Sequence, residues 1–230
     1  LDTQATRSTL MSVDSTLSAN ITAAQDYIPI ASTTNFSTSV VAEIETTNEV
    51  VSFTDISQNL LQYSEQFDNA YWNKSNVTIS ADSTTAPDGN TTADKYITTN
   101  TSSSYLSVNP SLTVGQTYTV SVFAKAGDVN WVRITNQSSG SSGGWFNLTD
   151  GTLGTSNGAS NVSTITDEGD GWYRCKRKFA SVVAGANQVL IAESDGDASS
   201  TASGSSKFIY LWGAQVEKAA SATTYLPTTS

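Results

Sequence analysis

Two aromatic and two basic side chains on consecutive alternating runs are the strongest candidates for ligand binding in this sequence. In the run Tyr118–Lys125, the alternation that turns the valines inward turns Phe123 and Lys125 outward. The same rule turns Trp131 and Arg133 outward in the next run. Sugars are bound by aromatic rings that stack on pyranose faces and by polar groups that bond to hydroxyls. Because the two runs are close in sequence, we expect them to be neighbours and the four side chains to form one glycan-binding patch.

The same patch has a second interpretation, which the sequence leaves open. Burial against a partner subunit, or against a small N-terminal module, has the same signature as an exposed ligand platform. In that case Phe123 and Trp131 lie in an interface.

A second, less favoured pair of ligand candidates, Tyr210 and Trp212, lies in the stretch "IYLWGAQVE" near the C-terminus. Strict alternation gives one face Ile209, Leu211 and Gly213, and the other face Tyr210, Trp212, Ala214 and Val216. Both faces are apolar, so the stretch is expected to be a strand that is covered on both sides.

The acidic clusters suggest turns and loops more than catalysis. The group Asp167, Glu168 and Asp170 alternates with glycines and indicates a tight turn before a strand. A second acidic loop contains Glu193, Asp195 and Asp197. It is either a solvated loop or a weak structural calcium site with oxygen ligands, and its spacing departs from the EF-hand pattern. No other cofactor is expected.

Composition narrows the function classes. The chain has 230 residues, a net charge of −10 and no histidine. The acidic balance argues against a nucleic-acid partner, and no apolar run is long enough to insert into a membrane. Without histidine, the usual Ser-His-Asp and Cys-His catalytic arrangements are absent. No carboxylate pair is singled out by spacing, although a pair from distant loops stays open.

One predicted strand, Trp172–Phe179, concentrates positive charge in this acidic protein through Arg174, Lys176, Arg177 and Lys178. These side chains are expected to pair with acidic loops or a neighbouring subunit; attraction of an anionic polysaccharide is the alternative. Cys175 is the single cysteine of the chain. Along the strand it lies on the same face as Tyr173 and Phe179, which predicts a buried thiol that acts as a small hydrophobe.

Three segments are expected along the chain. Residues 1–20 are a linker or arm, residues 21–57 a small β module for attachment or assembly, and residues 58–230 a larger domain. Many short strands, Gly- and Ser-rich turns and no convincing helix predict an all-β fold, with a two-sheet jelly-roll β-sandwich in the larger domain.

Five characteristic stretches follow one another within residues 58–228: "NLLQYSEQFDNAYWNKSNVTI", "TAPDGNTTADKY", "YTVSVFAKAG", "DEGDGWYRC" and "IYLWGAQVEKAASATTYLPT". Together they resemble the carbohydrate-binding-like jelly-roll domains of tailed-bacteriophage structural proteins, found on tail fibres, head fibres and related appendages. Residues 20–57 resemble a short β module that recurs in such proteins.

The resemblance implies a non-catalytic virion protein that contacts other virion proteins, forms a homo-oligomer (a trimer is favoured) and attaches to a host-surface glycan. Two alternatives are a purely structural decoration or fibre protein without a glycan ligand, and an appendage enzyme that degrades polysaccharide.

Overall fold

The computed structural model describes residues 58–100, 103–136, 142–158, 161–181, 188–200 and 204–229. The predicted arm (1–20) and the predicted small β module (21–57) lie outside the described residues. Residues Asn59–Ser230 form one compact unit. No helix in the described part of the chain is long and apolar enough to cross a membrane.

The described residues form twelve β-strands, which are β1 Asn73–Ser75, β2 Val77–Thr84, β3 Ala93–Thr98, β4 Tyr105–Val108, β5 Thr117–Ala126, β6 Trp131–Asn136, β7 Ser142–Asn147, β8 Leu153–Ser156, β9 Val162–Gly169, β10 Trp172–Ala180, β11 Val189–Ser194 and β12 Phe208–Glu217. Sheet I has the order β1-β4-β11-β6-β7-β8, and sheet II has the order β2-β3-β12-β5-β10-β9. The strand pairings are antiparallel. The predicted all-β, two-sheet sandwich is confirmed, and the chain crosses repeatedly between the sheets, as in a jelly roll.

The core lies between the two sheets and follows the alternation in the sequence. On β5, Tyr118, Val120 and Val122 are buried in it. Sheet I contributes Val132, Ile134 and Phe146 among others. Each fully buried side chain of this kind contributes roughly 1.5–3 kcal/mol. This inward face is the part of the fold that the period-2 pattern determines directly.

Cys175 is fully buried in this core, as predicted. Burial disfavours the thiolate and raises the pKa of the thiol well above its ordinary value. The residue therefore packs as a small apolar side chain.

The predicted pairing of β5 with β6 is wrong. β5 pairs with β12 and β10 in sheet II, whereas β6 pairs with β11 and β7 in sheet I. The short connection around Gly127 and Asp128 crosses from one sheet to the other. Strands that are adjacent in sequence are usually neighbours, but jelly-roll crossings are an exception.

The stretch "IYLWGAQVE" lies in β12, between β3 and β5, and is covered on both sides as predicted. The predicted faces are wrong beyond Trp212. The register shifts between Trp212 and Gln215, around Gly213 with φ of +60°, which is a β-bulge. Because of this shift, Ala214 and Val216 join the core. Gln215 and Glu217 instead face outward with Trp212.

Candidate functional site

The four predicted patch residues do not share one surface. Phe123 and Lys125 lie on β5 in sheet II, while Trp131 and Arg133 lie on β6 in sheet I. All four alternate with core residues and so face away from the core. The outer faces of the two sheets of a sandwich point in opposite directions. The predicted patch is therefore divided between two surfaces.

The centre of the outer face of sheet II is covered by the chain itself. Phe123 and Trp212 are 6% and 5% exposed and have ring centroids 5.1 Å apart. Tyr225, from the C-terminal tail, packs against them at 5.7 and 4.9 Å. Neither a subunit nor the N-terminal module is needed to bury these rings, and neither ring is available as a ligand platform.

The C-terminal tail, residues 218–229, is held on this face by buried polar groups. Glu217 is fully buried, and its carboxylate accepts hydrogen bonds from the amide and the hydroxyl of Thr223 at 2.9 and 2.8 Å. Gln215 accepts from the amide of Leu226 at 2.8 Å. Arg174 donates to the carbonyl oxygen of Thr223 at 2.6 Å. The Gln and Glu that interrupt an otherwise apolar strand are therefore the anchors of the tail.

Beyond the tail, the outer face of sheet II carries a row of basic and aromatic side chains. Lys95, Tyr210 and Lys125 are side by side on β3, β12 and β5, and each is partly exposed. The Nζ of Lys95 lies 3.6 Å from the ring centroid of Phe208. The Nζ of Lys125 donates to the carbonyl oxygen of Asp170 at 2.7 Å. Of the two aromatic candidates on β12, Tyr210 is thus the more accessible.

On the outer face of sheet I, Trp131 is partly exposed and fixed in place by its neighbours. A Cβ atom built on Gly154 would lie 2.6 Å from Cζ3 of Trp131 and closer still to Oδ1 of Asp197. Gly154 thus allows the indole ring and the Asp197 carboxylate to lie against the backbone of β8. Asn147, also partly exposed, is the cross-strand partner of Trp131 on β7.

Arg133 occupies the next outward position on β6. Its guanidinium lies 5.9 Å from the ring of Trp145, which is buried and donates to the carbonyl oxygen of Ser199 at 2.6 Å. Desolvation lowers the pKa of Arg133, opposed by Tyr96 and Glu193. The buried Nε of Arg133 has no hydrogen-bond partner in the described part of the structure. Arg133 is held between the sheet and Trp145 and exposes little of its charge.

The three weak calcium candidates do not converge. Glu193 is 2% exposed and lies on the same face of β11 as the core residues Val189 and Ile191, so it faces inward. Asp195 is exposed. Asp197 accepts hydrogen bonds from the amide and hydroxyl of Thr155, at 2.6 and 3.1 Å, which docks the acidic loop on β8. Within the described residues, no group of three or more acidic, His or Cys side chains could hold a metal ion.

The basic side chains of β10 divide between the two faces of sheet II. Arg177 faces inward and is fully buried, whereas Arg174, Lys176 and Lys178 face outward. Sequence reasoning grouped all four residues. Arg177 is two residues away from both Cys175 and Phe179, and this period of two already indicated that Arg177 faces inward. The neighbours of Trp131 at Gly154 and Asp197 had no comparable signal, because they come from distant segments.

Comparisons with known proteins give matches to solved structures only, since no family model and no curated protein matches the sequence. The carbohydrate-binding module TmCBM61, solved in complex with beta-1,4-galactotriose, is 12% identical, with a TM-score of 0.42 over 71% of this chain and 100% of that chain. The CBM22-1 xylan-binding domain of Paenibacillus barcinonensis Xyn10C is 10% identical, with a TM-score of 0.42 over 73% and 97%.

A third match is the enzymatically active domain of tailspike protein 4 from bacteriophage CBA120. It is 11% identical, with a TM-score of 0.39, and the match covers 69% of this chain but 21% of that chain. At these sequence identities and TM-scores the similarity concerns the fold alone. Beta-1,4-galactotriose and xylan are ligands of those proteins.

Proposed function

We propose that this chain is a non-catalytic glycan-binding protein whose sandwich domain binds a sugar ring at Trp131. One observation carries the proposal: the indole of Trp131 is partly exposed and held against Gly154, beside the Asp197 carboxylate and the Asn147 amide. Sites of this kind combine a fixed aromatic ring with a few polar groups that determine orientation.

The chemistry of the surface suits a neutral sugar. An indole ring offers a large apolar contact to the C–H groups of a pyranose at a low entropic cost, because it has two rotatable bonds. A carboxylate and an amide at its edge can accept and donate hydrogen bonds to hydroxyl groups. The only cation beside Trp131 on its strand, Arg133, is half-buried against Trp145.

The test is binding of soluble neutral polysaccharides, xylan and β-1,4-galactan among them, in affinity gel electrophoresis, after a glycan-array screen. Trp131→Ala is expected to weaken binding at least about ten-fold, as loss of a central aromatic contact does. Trp131→Phe should retain part of the affinity. Val114→Ala, which removes an apolar side chain that is 48% exposed in a turn, is the control and should bind normally.

Two results would refute the glycan-binding proposal. One is the absence of any binding above background on the array and to host cells. The other is equal binding by Trp131→Ala and the wild type, with thermal melting showing that both are folded. Appearance of shorter fragments on incubation with host polysaccharide would instead indicate an enzyme.

We further propose that the protein works on a bacteriophage particle, as part of a tail, neck or head appendage, and that it forms a homo-oligomer. The support is the sequence resemblance, in which five motifs occur in one order. Immunogold electron microscopy of the particle would locate it, and light scattering of the full chain would give its subunit number. If Trp131 is covered by a neighbouring subunit on the assembled particle, a purely structural role replaces glycan attachment.

A further inference from the structure

We infer that the outer face of sheet II contains a second binding site, specific for an anionic group, which takes the carboxylate of an acidic polysaccharide. The site is a groove between strands β9 and β10 and the C-terminal tail. This inference rests on the proposed function in so far as the ligand is a glycan, but it concerns a different surface and a different class of sugar.

The groove has a volume of about 200 Å³. Its lining contains two ammonium groups, three hydroxyl groups and three small apolar side chains, which are Lys176, Lys178, Thr119, Thr164, Ser221, Val162, Ala220 and Ala222. This mixture matches an acidic sugar residue, which has a carboxylate, several hydroxyl groups and an apolar ring face. Val162 is 50% exposed, so the apolar part of the lining is accessible from solvent.

The charge distribution favours an anion here although the whole chain is acidic. Of the eleven Lys and Arg residues of the chain, five face outward on the strands of sheet II. They are Lys95, Lys125, Arg174, Lys176 and Lys178. These strands also carry the exposed carboxylates Asp82, Asp167 and Glu168, but none of the three lines the groove. Glu217 is already bonded to Thr223 beneath the tail. The tail itself contains no carboxylate and begins with Lys218.

The two groove lysines lack close ionic partners. Lys176 donates to the hydroxyl of Thr166 at 3.0 Å, and within the described residues neither Lys176 nor Lys178 has a carboxylate at ion-pair distance. Desolvation and the nearby Arg174 both lower the pKa of Lys176, opposed by Glu168. An added carboxylate would relieve the repulsion among these cations.

The experiment compares single substitutions that remove the same charge from different places. Binding of the full chain to polygalacturonate is measured by isothermal titration calorimetry for Lys178→Gln and for Lys207→Gln. Lys207 is exposed and lies 3.8 Å from Asp128, outside the groove lining. We expect Lys178→Gln to weaken binding about five-fold, as for one exposed ion pair, and Lys207→Gln to change it little. Val162→Glu, which adds a negative charge at an exposed position of the groove, should weaken binding at least as much.

Each alternative outcome is informative. Equal effects of Lys178→Gln and Lys207→Gln, or normal binding by Val162→Glu, would overturn the groove as the site. If free galacturonate or sulfate binds as tightly as the polymer and competes with it, the groove binds small anions and the polysaccharide assignment is wrong. Trp131→Ala separates the two proposals, since it should reduce binding of neutral glycans and leave the effect of Lys178→Gln on polygalacturonate intact.

Discussion

Arg177 is a basic residue in an unusual position for its type. It is fully buried inside the sandwich. Its guanidinium donates hydrogen bonds to Asn136 Oδ1 at 3.1 Å, to Ser163 Oγ at 3.1 Å and to the carbonyl oxygen of Asn157 at 2.7 Å. These acceptors are neutral. Burial lowers the pKa of the guanidinium to about 10, so it stays charged at pH 7. The planar fork of donors compensates a large part of the desolvation cost.

Arg177→Lys is therefore expected to destabilise the domain, by about 2–3 kcal/mol. Lysine keeps the buried charge, but its single nitrogen cannot reach all the acceptors that the guanidinium bonds. Urea unfolding measures the change. Lys178→Arg, the same exchange in reverse at an outward position on the same strand, should change stability little. A loss below about 0.5 kcal/mol for Arg177→Lys would mean that water replaces the missing donors.

The bulge in β12 determines which side chains reach the C-terminal tail. Gly213, with φ of +60°, shifts the alternation so that Gln215 and Glu217 face outward, where they bond to Leu226 and Thr223. A regular strand would turn Val216 outward instead and leave the tail without its carboxylate anchor. The bulge thus joins a local backbone feature to the covering of the outer face.

Gly213→Ala should destabilise the domain by about 2 kcal/mol or more. The added Cβ would lie 2.9 Å from Cδ2 of Phe123 and 3.2 Å from Cζ of Tyr225, in addition to the strain of a positive φ. Gly89→Ala is the matched control, because Gly89 has φ of +87° and no atom within 4 Å of an added Cβ. The difference between the two variants in thermal or urea unfolding isolates the packing clash; equal losses would show that only backbone strain matters.

The free energy of unfolding of the domain is expected to depend on pH through Asp94. This buried carboxylate accepts hydrogen bonds from the amides of Phe67 and Asp82, at 2.8 and 3.0 Å, and so connects the start of the domain to β2 and β3. Desolvation raises its pKa to about 6, against the lowering effect of the two amides.

A carboxyl group whose pKa is raised on folding stabilises the folded state in its protonated form. The contribution of Asp94 is fully present below its unfolded pKa of about 3.8 and is lost as pH rises through 6. Between pH 7 and pH 5 the wild type should therefore gain about 1 kcal/mol relative to Asp94→Asn, measured by urea unfolding at each pH. Parallel stability profiles for the two proteins would contradict this assignment.

The sequence predicted the faces of strands better than their partners. Alternation correctly placed Val120 and Val132 inside and Trp131 outside, because the period of two depends only on the local backbone. Strand pairing depends on the crossings between sheets, so the grouping of Phe123 with Trp131 was wrong. The surroundings of Trp131 could not be predicted, because they depend on contacts between segments that are far apart in sequence, such as Thr155 with Asp197.

The two ends of the domain are bonded to each other. Asn59 donates to the carbonyl oxygen of Leu226 at 3.0 Å, Ser64 donates its amide to the carbonyl oxygen of Thr228 at 3.1 Å, and the Thr228 hydroxyl donates to the carbonyl oxygen of Leu61 at 2.7 Å. A unit with adjacent ends can be inserted into a surface loop of an unrelated protein without separating the two residues that it joins. Residues 59–229 therefore have the geometry of a unit that can be transferred into a loop of another protein.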